Sequence, residues 1–222
     1  DASGNTASTT QIITVIDATL PVVITKNNVI AVDANGLSSI TATMVNNGSY
    51  DNCGVQSVTV SPSTFTCQNI GVNTVILKVT DIHGNVNTAP ATVTVVDYIF
   101  PVAIAQNITV ALAANGQAVI TPAMVNNGST DNCSVVSFEL DTTSFDCDSV
   151  GANPVVLTVK DAYGNTSTAQ AIVTVVNNSI DTDNDGVKDS CDDDDDNDGL
   201  LDTDDNCPSV SNNDQADNDS DG

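Results

Sequence analysis

Three features of the sequence predict an all-β fold in which tandem antiparallel β-sandwiches are followed by an irregular, ion-stabilised segment. Short runs of alternating β-branched residues fill the first part of the chain, the sequence repeats itself, and residues 181–222 hold 17 aspartates and almost no large apolar side chains. The composition changes near residues 175–180, so two kinds of folding are expected on either side of that boundary.

The first part of the sequence repeats with a period of 80 residues and no gap. MVNNGSYDNC at 44–53 returns as MVNNGSTDNC at 124–133. The same offset predicts modules at 17–96 and 97–178. It also makes residues 1–16 the last strand of a preceding module, and we expect the chain to be part of a longer protein.

Within each module, runs such as TVILKVT and PVVLTVK alternate as strands do, and turn sequences such as DANG and AANG separate them. Signals for a helix are absent. About seven short strands in each module predict a small immunoglobulin-like sandwich. A core that small needs a covalent staple.

Cysteine spacing supplies a candidate staple, because Cys53 and Cys67 are 14 residues apart and so are Cys133 and Cys147. Pairs Cys53–Cys67 and Cys133–Cys147 would each close a loop of about 15 residues, which stabilises by roughly 3 kcal/mol in the chain-entropy model. An even number of cysteines in an acidic chain indicates an oxidising, extracellular setting. A metal site on the cysteines is the weaker alternative, since no histidine or second cysteine lies nearby in the sequence.

The pattern D-x-x-x-P, DNC and C-x-x-x-G-x-N-x-V-x-L-x-V-x-D-x-x-G-N resembles the hyalin-repeat (HYR) module over both modules and residues 1–16. This resemblance implies an immunoglobulin-like fold and tandem repeats in extracellular adhesion proteins.

The charge excludes several kinds of partner. The chain has four lysines, no arginine and a net charge of −25, so neither nucleic acid nor an anionic membrane surface is expected to bind it. The sequence holds no run of about 18 apolar residues, which predicts no direct membrane insertion. The one histidine, His83, corresponds to Ser3 and Tyr163 in the repeat, so no catalytic residue is predicted.

The aspartates of residues 181–222 follow the ligand spacing of a calcium-binding loop with glycine at position 6. With Gly186 and Gly199 at position 6, the candidate ligands at positions 1, 3, 5, 7, 9 and 12 are Asp181, Asp183, Asp185, Val187, Asp189 and Asp192, then Asp194, Asp196, Asp198, Leu200, Asp202 and Asp205. Val187 and Leu200 would use their backbone carbonyls. A third loop begins with Asp217, Asp219 and Asp221.

Calcium is the predicted ion, with two or more Ca²⁺ in residues 181–222. Ca²⁺ accepts six to eight oxygens at flexible geometry, whereas Mg²⁺ demands an octahedron and Zn²⁺ prefers cysteine and histidine. Without a cation the like charges repel and we expect this segment to be disordered.

No amphipathic helix flanks these loops. The repeated DxDxDGxxDxxD and the sequence DNCPSVSNNDQADNDSDG resemble the thrombospondin type-3 repeat over residues 181–222, within a predicted segment 179–222. The resemblance implies a chain that wraps around a string of calcium ions and is held by disulfides. Cys191 and Cys207 are expected to pair, although Cys207 could instead pair beyond residue 222.

Aspartates also recur at the ends of the modules. Six of them lie at turns or joints: Asp17, Asp51, Asp81, Asp97, Asp131 and Asp161. They either bind calcium at the joints or cap turns through their own backbone, and turn capping is the simpler interpretation.

Together the two resemblances imply a non-catalytic, calcium-stiffened stalk segment of a large cell-surface adhesin, like those of Bacteroidota, with roles in surface attachment and gliding. They imply type IX secretion and display on the outer membrane. The expected partners are neighbouring repeats of the same chain, and a surface polysaccharide or another cell-surface ligand bound by other parts of the protein. The alternatives are an accessory region of a secreted polysaccharide-degrading enzyme, or a carbohydrate- or protein-binding module.

Overall fold

The computed structural model describes residues 2–216, and the chain forms two compact units. The chain passes from the first unit, Asp1–Tyr98, to the second, Ile99–Gly222, after the first module. The acidic segment predicted at 179–222 therefore packs as part of the second unit, and it does not form a unit of its own.

The first unit is a sandwich of a four-stranded and a two-stranded sheet. Its elements are β1 (Asn28–Ala31), β2 (Leu37–Ser39), α1 (Ala42–Val45), β3 (Val55–Ser61), β4 (Thr64–Thr66), β5 (Gly71–Asp81) and β6 (Val86–Val96). The larger sheet has the order β1-β6-β5-β3, and β2 pairs with β4. β1 runs parallel to β6, and the other pairs are antiparallel.

The second unit repeats this topology. Its elements are β7 (Ile108–Ala111), β8 (Ala118–Val119), α2 (Pro122–Val125), β9 (Val135–Leu140), β10 (Ser144–Phe145), β11 (Gly151–Asp161) and β12 (Thr166–Val176). The sheets have the orders β7-β12-β11-β9 and β10-β8. Each unit has two sheets, and the β5–β6 or β11–β12 hairpin lies at the centre of the larger one. This arrangement confirms the predicted immunoglobulin-like fold class.

The core of each sandwich follows from alternation along its long strands. In β5, Val75, Leu77 and Val79 are fully buried, while the residues between them face outward. Phe65 of the smaller sheet packs from the other side and is 2% exposed. Because successive side chains of a strand point to opposite faces, β-branched alternation alone determines which face is buried.

The same alternation continues to the end of β5 and β11, where it buries aspartates in place of apolar residues. Asp81 and Asp161 are 0% and 1% exposed. Both oxygens of Asp81 are used: the amides of His83 and Asn85 each donate at 2.8 Å, and the Asn85 side chain donates at 2.7 Å. The D-x-x-G-N turn is therefore closed by its own aspartate.

One sequence-based expectation is wrong. It is the absence of helix, because each sandwich contains one short α-helix, and these helices carry Val45 and Val125, which are fully buried. Each sandwich also has a 3₁₀ turn, at Cys67–Asn69 and at Cys147–Ser149. A helix of four residues is too short to leave a periodic pattern in the sequence.

Residues 2–16 form no strand and are mostly exposed, and the assignment of 1–16 to the last strand of a preceding module stays a prediction. Ile12 and Val15 are 88% and 91% exposed. A strand needs a neighbour for its backbone groups, and among the described residues no strand pairs with this segment.

The acidic segment is irregular, as predicted. Its regular element among the described residues is a 3₁₀ turn at Asp189–Cys191, and the rest is held by turns and side-chain hydrogen bonds. Over residues 2–216, the structure shows no helix with the length and apolar character needed to cross a membrane.

Candidate metal centres

The first acidic loop brings its leading aspartates together, as their spacing predicts. One carboxylate oxygen each from Asp181, Asp183 and Asp185 lies within 4.8 Å of the others. Asn184 and Gly186 adopt the left-handed conformation, with φ of 61° and 103°. The positive φ at the glycine turns the chain back on itself, which an L side chain at that position would oppose.

The second loop repeats this arrangement 13 residues later. Asp194, Asp196 and Asp198 converge within 4.8 Å, and Asn197 and Gly199 take φ of 55° and 94°. The Asp198 amide donates to both Asp194 and Asp196, at 3.2 and 3.1 Å. The two loops are therefore copies of one local structure.

The aspartate at position 9 of each loop closes the loop by accepting a hydrogen bond from a backbone amide. The Thr182 amide donates to Asp189 Oδ1 at 3.0 Å, and the Asp195 amide donates to Asp202 Oδ1 at 2.9 Å. In the described residues neither Asp189 nor Asp202 belongs to a group that converges within 4.8 Å. These two carboxylates shape the loops, and their role as metal ligands stays a prediction.

The aspartate at position 12 of each loop also accepts hydrogen bonds. Asp192 Oδ1 accepts from the Asp194 amide at 3.1 Å. Asp205 Oδ1 accepts from the Cys207 amide at 2.9 Å and from the Gln215 side chain at 2.6 Å. The ligand roles of Asp192, Asp205, Val187 and Leu200 are likewise untested predictions. The third loop, Asp217, Asp219 and Asp221, lies outside the described residues.

The donor set fits a hard divalent cation. Several carboxylate oxygens are buried without a hydrogen-bond partner: Asp181 Oδ1, Asp183 Oδ2, Asp195 Oδ1 and Asp196 Oδ2. Buried charges normally occur paired or metal-bound, because removing an unpaired carboxylate from water is costly. Closely spaced carboxylates on an irregular backbone are the ligands that Ca²⁺ takes.

Asp195 belongs to this acidic cluster although the loop template does not include it. Burial raises the pKa of Asp195 to about 6, and the neighbouring carboxylates of Asp202 and Asp189 act in the same direction. Sequence reasoning missed this residue because it stands at an even position of the loop. Its place in a run of five aspartates, 192–196, was the available signal.

The second half of the acidic segment folds back onto the second loop. The Asn212 amide donates to Asp198 Oδ2 at 2.8 Å, and its side chain donates to Asn206 Oδ1 at 2.7 Å. Gln215 Oε1 accepts from the Asn206 amide at 2.8 Å. Residues 206–215 therefore support the loop that holds the second group of carboxylates.

The structure corrects all three predicted disulfides. Cys147 is bonded to Cys191, with a Cα–Cα distance of 5.7 Å and a sequence separation of 44, so Cys133–Cys147 and Cys191–Cys207 are wrong. Cys53–Cys67 is wrong as well, because Cys53 is a free, exposed thiol whereas Cys67 is disulfide-bonded. Cys133 is also disulfide-bonded. Equal spacing in sequence did not imply that Cβ atoms face each other at bonding distance.

The Cys147–Cys191 bond fastens the acidic segment to the second sandwich. Both cysteines pack against the sandwich core. Around the bond, Asn177 donates to Cys191 Sγ at 3.1 Å and Asn177 Oδ1 accepts from the Ser190 hydroxyl at 3.0 Å. A Cβ on Gly116 would collide with the Ser190 carbonyl and Cys147 Sγ, so glycine is required for this close approach.

Comparison with known families agrees with this geometry. Residues 180–215 match the family model described as thrombospondin type 3 repeat. The predicted thrombospondin type-3 segment is confirmed over that range. A search of curated proteins found no match to the sequence.

Solved structures that resemble the chain include cadherin extracellular domains. Protocadherin gamma B7 extracellular cadherin domains 1–4 match with 13% identity and a TM-score of 0.34, over 71% of this chain and 51% of that one. Human mucin-like protocadherin matches with 13% identity and a TM-score of 0.39, over 72% and 100% of the two chains. Drosophila N-cadherin matches with 12% identity and a TM-score of 0.36, over 72% and 50%.

The chain thus spans about half the length of the first of these structures.

Proposed function

We propose that this chain is a non-catalytic, calcium-stiffened stalk segment of a large bacterial cell-surface adhesin. The observation that carries the proposal is the pair of acidic loops, each with three converging aspartates and buried carboxylate oxygens that lack a hydrogen-bond partner. The match to the thrombospondin type 3 repeat over the same residues supports calcium as the ion.

The acidic segment acquires its fold through these loops. Bound Ca²⁺ supplies the positive charge that lets the carboxylates approach, so the free energy of binding becomes free energy of folding. The chain's own residues do the rest. Asp189 and Asp202 close the loops on the amides of Thr182 and Asp195, and the glycines turn the backbone.

The contacts around Cys191 attach the acidic segment firmly to the second sandwich, so that the two are stiffened together. The segment is covalently bonded to Cys147, and the Ser190 side chain is held by Asn177 next to the end of β12. A loop ordered by ions is therefore continuous with a folded core. In a repeat array, stability and stiffness come mostly from such nearest-neighbour contacts.

The wider setting is part of the same proposal. A mature chain of acidic repeats would reach the outer membrane surface through type IX secretion and serve in attachment and gliding. Its partners would be neighbouring repeats, and other parts of the adhesin would bind a surface polysaccharide or another cell-surface ligand. Disulfide bonds and calcium sites both suit an extracellular environment.

The test of this function uses cells that produce the full protein. Antibodies against the 222-residue segment should label intact, unpermeabilised cells. Replacing the segment with a flexible linker of the same number of residues should reduce attachment under flow without lowering the amount of protein at the surface. Unchanged attachment, or labelling only after permeabilisation, would contradict the proposal.

A further inference from the structure

A second kind of carboxylate cluster lies at one end of the first sandwich, outside the acidic segment. It consists of Asp17 before β1, Asp51 before β3 and Asp81 at the end of β5. One oxygen from each carboxylate lies within 4.8 Å of the other two. Three segments that are far apart in sequence therefore bring negative charge to one point.

Several oxygens of this cluster are used by the local backbone. Asp17 Oδ1 accepts from the Thr19 amide at 3.0 Å. Asp51 Oδ1 accepts from the amides of Cys53 and Gly54 at 2.8 and 3.3 Å. Both oxygens of Asp81 have donors. Turn capping thus explains one oxygen each of Asp17 and Asp51, and it leaves the other unexplained.

The other oxygens of Asp17 and Asp51 provide a second, independent indication of a ligand. Asp17 Oδ2 and Asp51 Oδ2 are buried and have no hydrogen-bond partner, and the Asp17 side chain is only 6% exposed. The nearby group that can carry positive charge is His83, whose Nδ1 lies 3.4 Å from Asp17 Oδ2 and is charged only when the imidazole is protonated. Buried carboxylate oxygens without a donor are expected to have a cation between them.

From this geometry we propose that Asp17, Asp51 and Asp81 bind one Ca²⁺ ion. The site is independent of the acidic segment. An ion there would tie the segment that enters the sandwich to the loop before β3 and to the β5–β6 turn. It would thereby fix the direction in which the chain enters the first sandwich.

A soft metal ion is the competing occupant, because Cys53, His83 and Asp17 also present ligand atoms within 4.8 Å of one another. Comparison of the two modules distinguishes a calcium site from a site for a soft metal ion. One period later the sequence keeps all three carboxylates, as Asp97, Asp131 and Asp161. The soft donors are not kept, since Cys133 is disulfide-bonded and Tyr163 replaces histidine. The feature common to both modules is a set of hard oxygen ligands, which favours Ca²⁺ over Zn²⁺.

The experiment is a calcium titration of the full 222-residue chain followed by amide NMR spectra. The amides that donate to the cluster are its reporters: Thr19, Cys53, Gly54, His83 and Asn85. We expect these signals to shift and saturate below about 10 mM Ca²⁺, the range of weak extracellular sites. Amides of residues 181–205 report separately on the acidic loops.

Two variants remove ligands while keeping the capping oxygen. Asp51→Asn and Asp17→Asn should each weaken calcium binding at the reporter amides by about tenfold or more, with the response of residues 181–205 unchanged. Without calcium Asp51→Asn should unfold at the same or a higher temperature than the parent, because one repelling charge has been removed. Glu139→Gln, which removes an exposed carboxylate from β9, is the charge-matched control and should leave both responses unchanged.

Reporter amides that stay fixed while residues 181–205 respond to calcium would overturn this inference and leave the proposed function standing. Reporter amides that shift with calcium while residues 181–205 do not would contradict the proposed function alone. Shifts with Zn²⁺ but not with Ca²⁺ would assign the site to the soft donors and would also overturn the inference.

Discussion

At the scale of single residues, short aspartate side chains shape this protein as much as apolar ones do. Asp33 closes the DANG turn by accepting from the amides of Asn35 and Leu37 at 2.8 and 3.0 Å. Ala113 occupies the same place in the AANG turn and keeps the same backbone hydrogen bonds. The pair shows that the backbone can form this turn without the carboxylate, which adds stabilisation to it.

Asp33 gives the first module a pH dependence that this turn lacks in the second. The hydrogen bonds from Leu37 and Asn35 lower the pKa of Asp33 below 3.8. Because the folded pKa lies below the unfolded one, the stabilisation is present above pH 3.8 and is lost as the pH falls through the folded pKa. Asp33→Ala should lower the unfolding temperature by about 2 °C at pH 7 and by less at about pH 2.

Calorimetry at the two pH values checks this expectation. Asp33→Asn is the control, because it keeps an acceptor oxygen and removes the titration. An equal loss for Asp33→Ala at both pH values would show that the carboxylate charge has no part in the turn.

A side chain at Gly116 would destabilise the fold in two separate ways. It would strain the backbone, whose φ is 69°, and it would collide with close neighbouring atoms. Gly128 has a φ of 81°, and no neighbouring atom would lie within 4 Å of a Cβ added there. Gly128→Ala should therefore destabilise by about 1–2 kcal/mol from backbone strain alone. Gly116→Ala should cost more, since the Ser190 carbonyl must move as well.

Urea unfolding measures this difference, and amide spectra of residues 181–205 locate it. Only Gly116→Ala should perturb the acidic loops. If the two alanine variants behaved alike, the close approach of Ser190 to the AANG turn would be wrong.

At the scale of elements, strands were predictable and covalent pairing was not. Alternation in β5 and β11 depends only on neighbours in sequence, so the buried face is evident from TVILKVT and PVVLTVK. The partner of Cys147 depends on where the acidic segment returns to the sandwich. That return is set by Gly116, Asn177 and Ser190, which no local pattern identifies.

The Cys147–Cys191 bond should be a major source of stability for the second unit. It closes a longer loop than the predicted Cys133–Cys147 pair, and in the chain-entropy model it contributes about 4 kcal/mol. Cys191→Ser should therefore destabilise the second unit strongly in urea and weaken calcium binding by residues 181–205. Cys53→Ser, which removes a free thiol, should change neither property.

Peptide mapping under non-reducing conditions provides the direct control. The parent protein should yield a cross-linked peptide that contains Cys147 and Cys191. A peptide linking Cys133 to Cys147 would contradict the structure and restore the pairing suggested by sequence spacing.

At the scale of the whole molecule, two sources of order act in one chain. The sandwiches are held by apolar cores such as Val75, Leu77 and Phe65. The acidic segment has 17 aspartates in residues 181–222, and we propose that it depends on bound ions instead. The loop template found the converging aspartates at positions 1, 3 and 5 because their spacing is local. It missed Asp195, whose environment is made by folding.

The most direct test of the central claim is hydrogen exchange of the full chain, measured with calcium and with a chelator. With calcium, the amides of residues 181–205 should be protected. With the chelator, that protection should be lost while β5, β6, β11 and β12 stay protected. Equal protection of residues 181–205 in both conditions, or its full recovery with magnesium alone, would contradict the claim that calcium gives the acidic segment its fold.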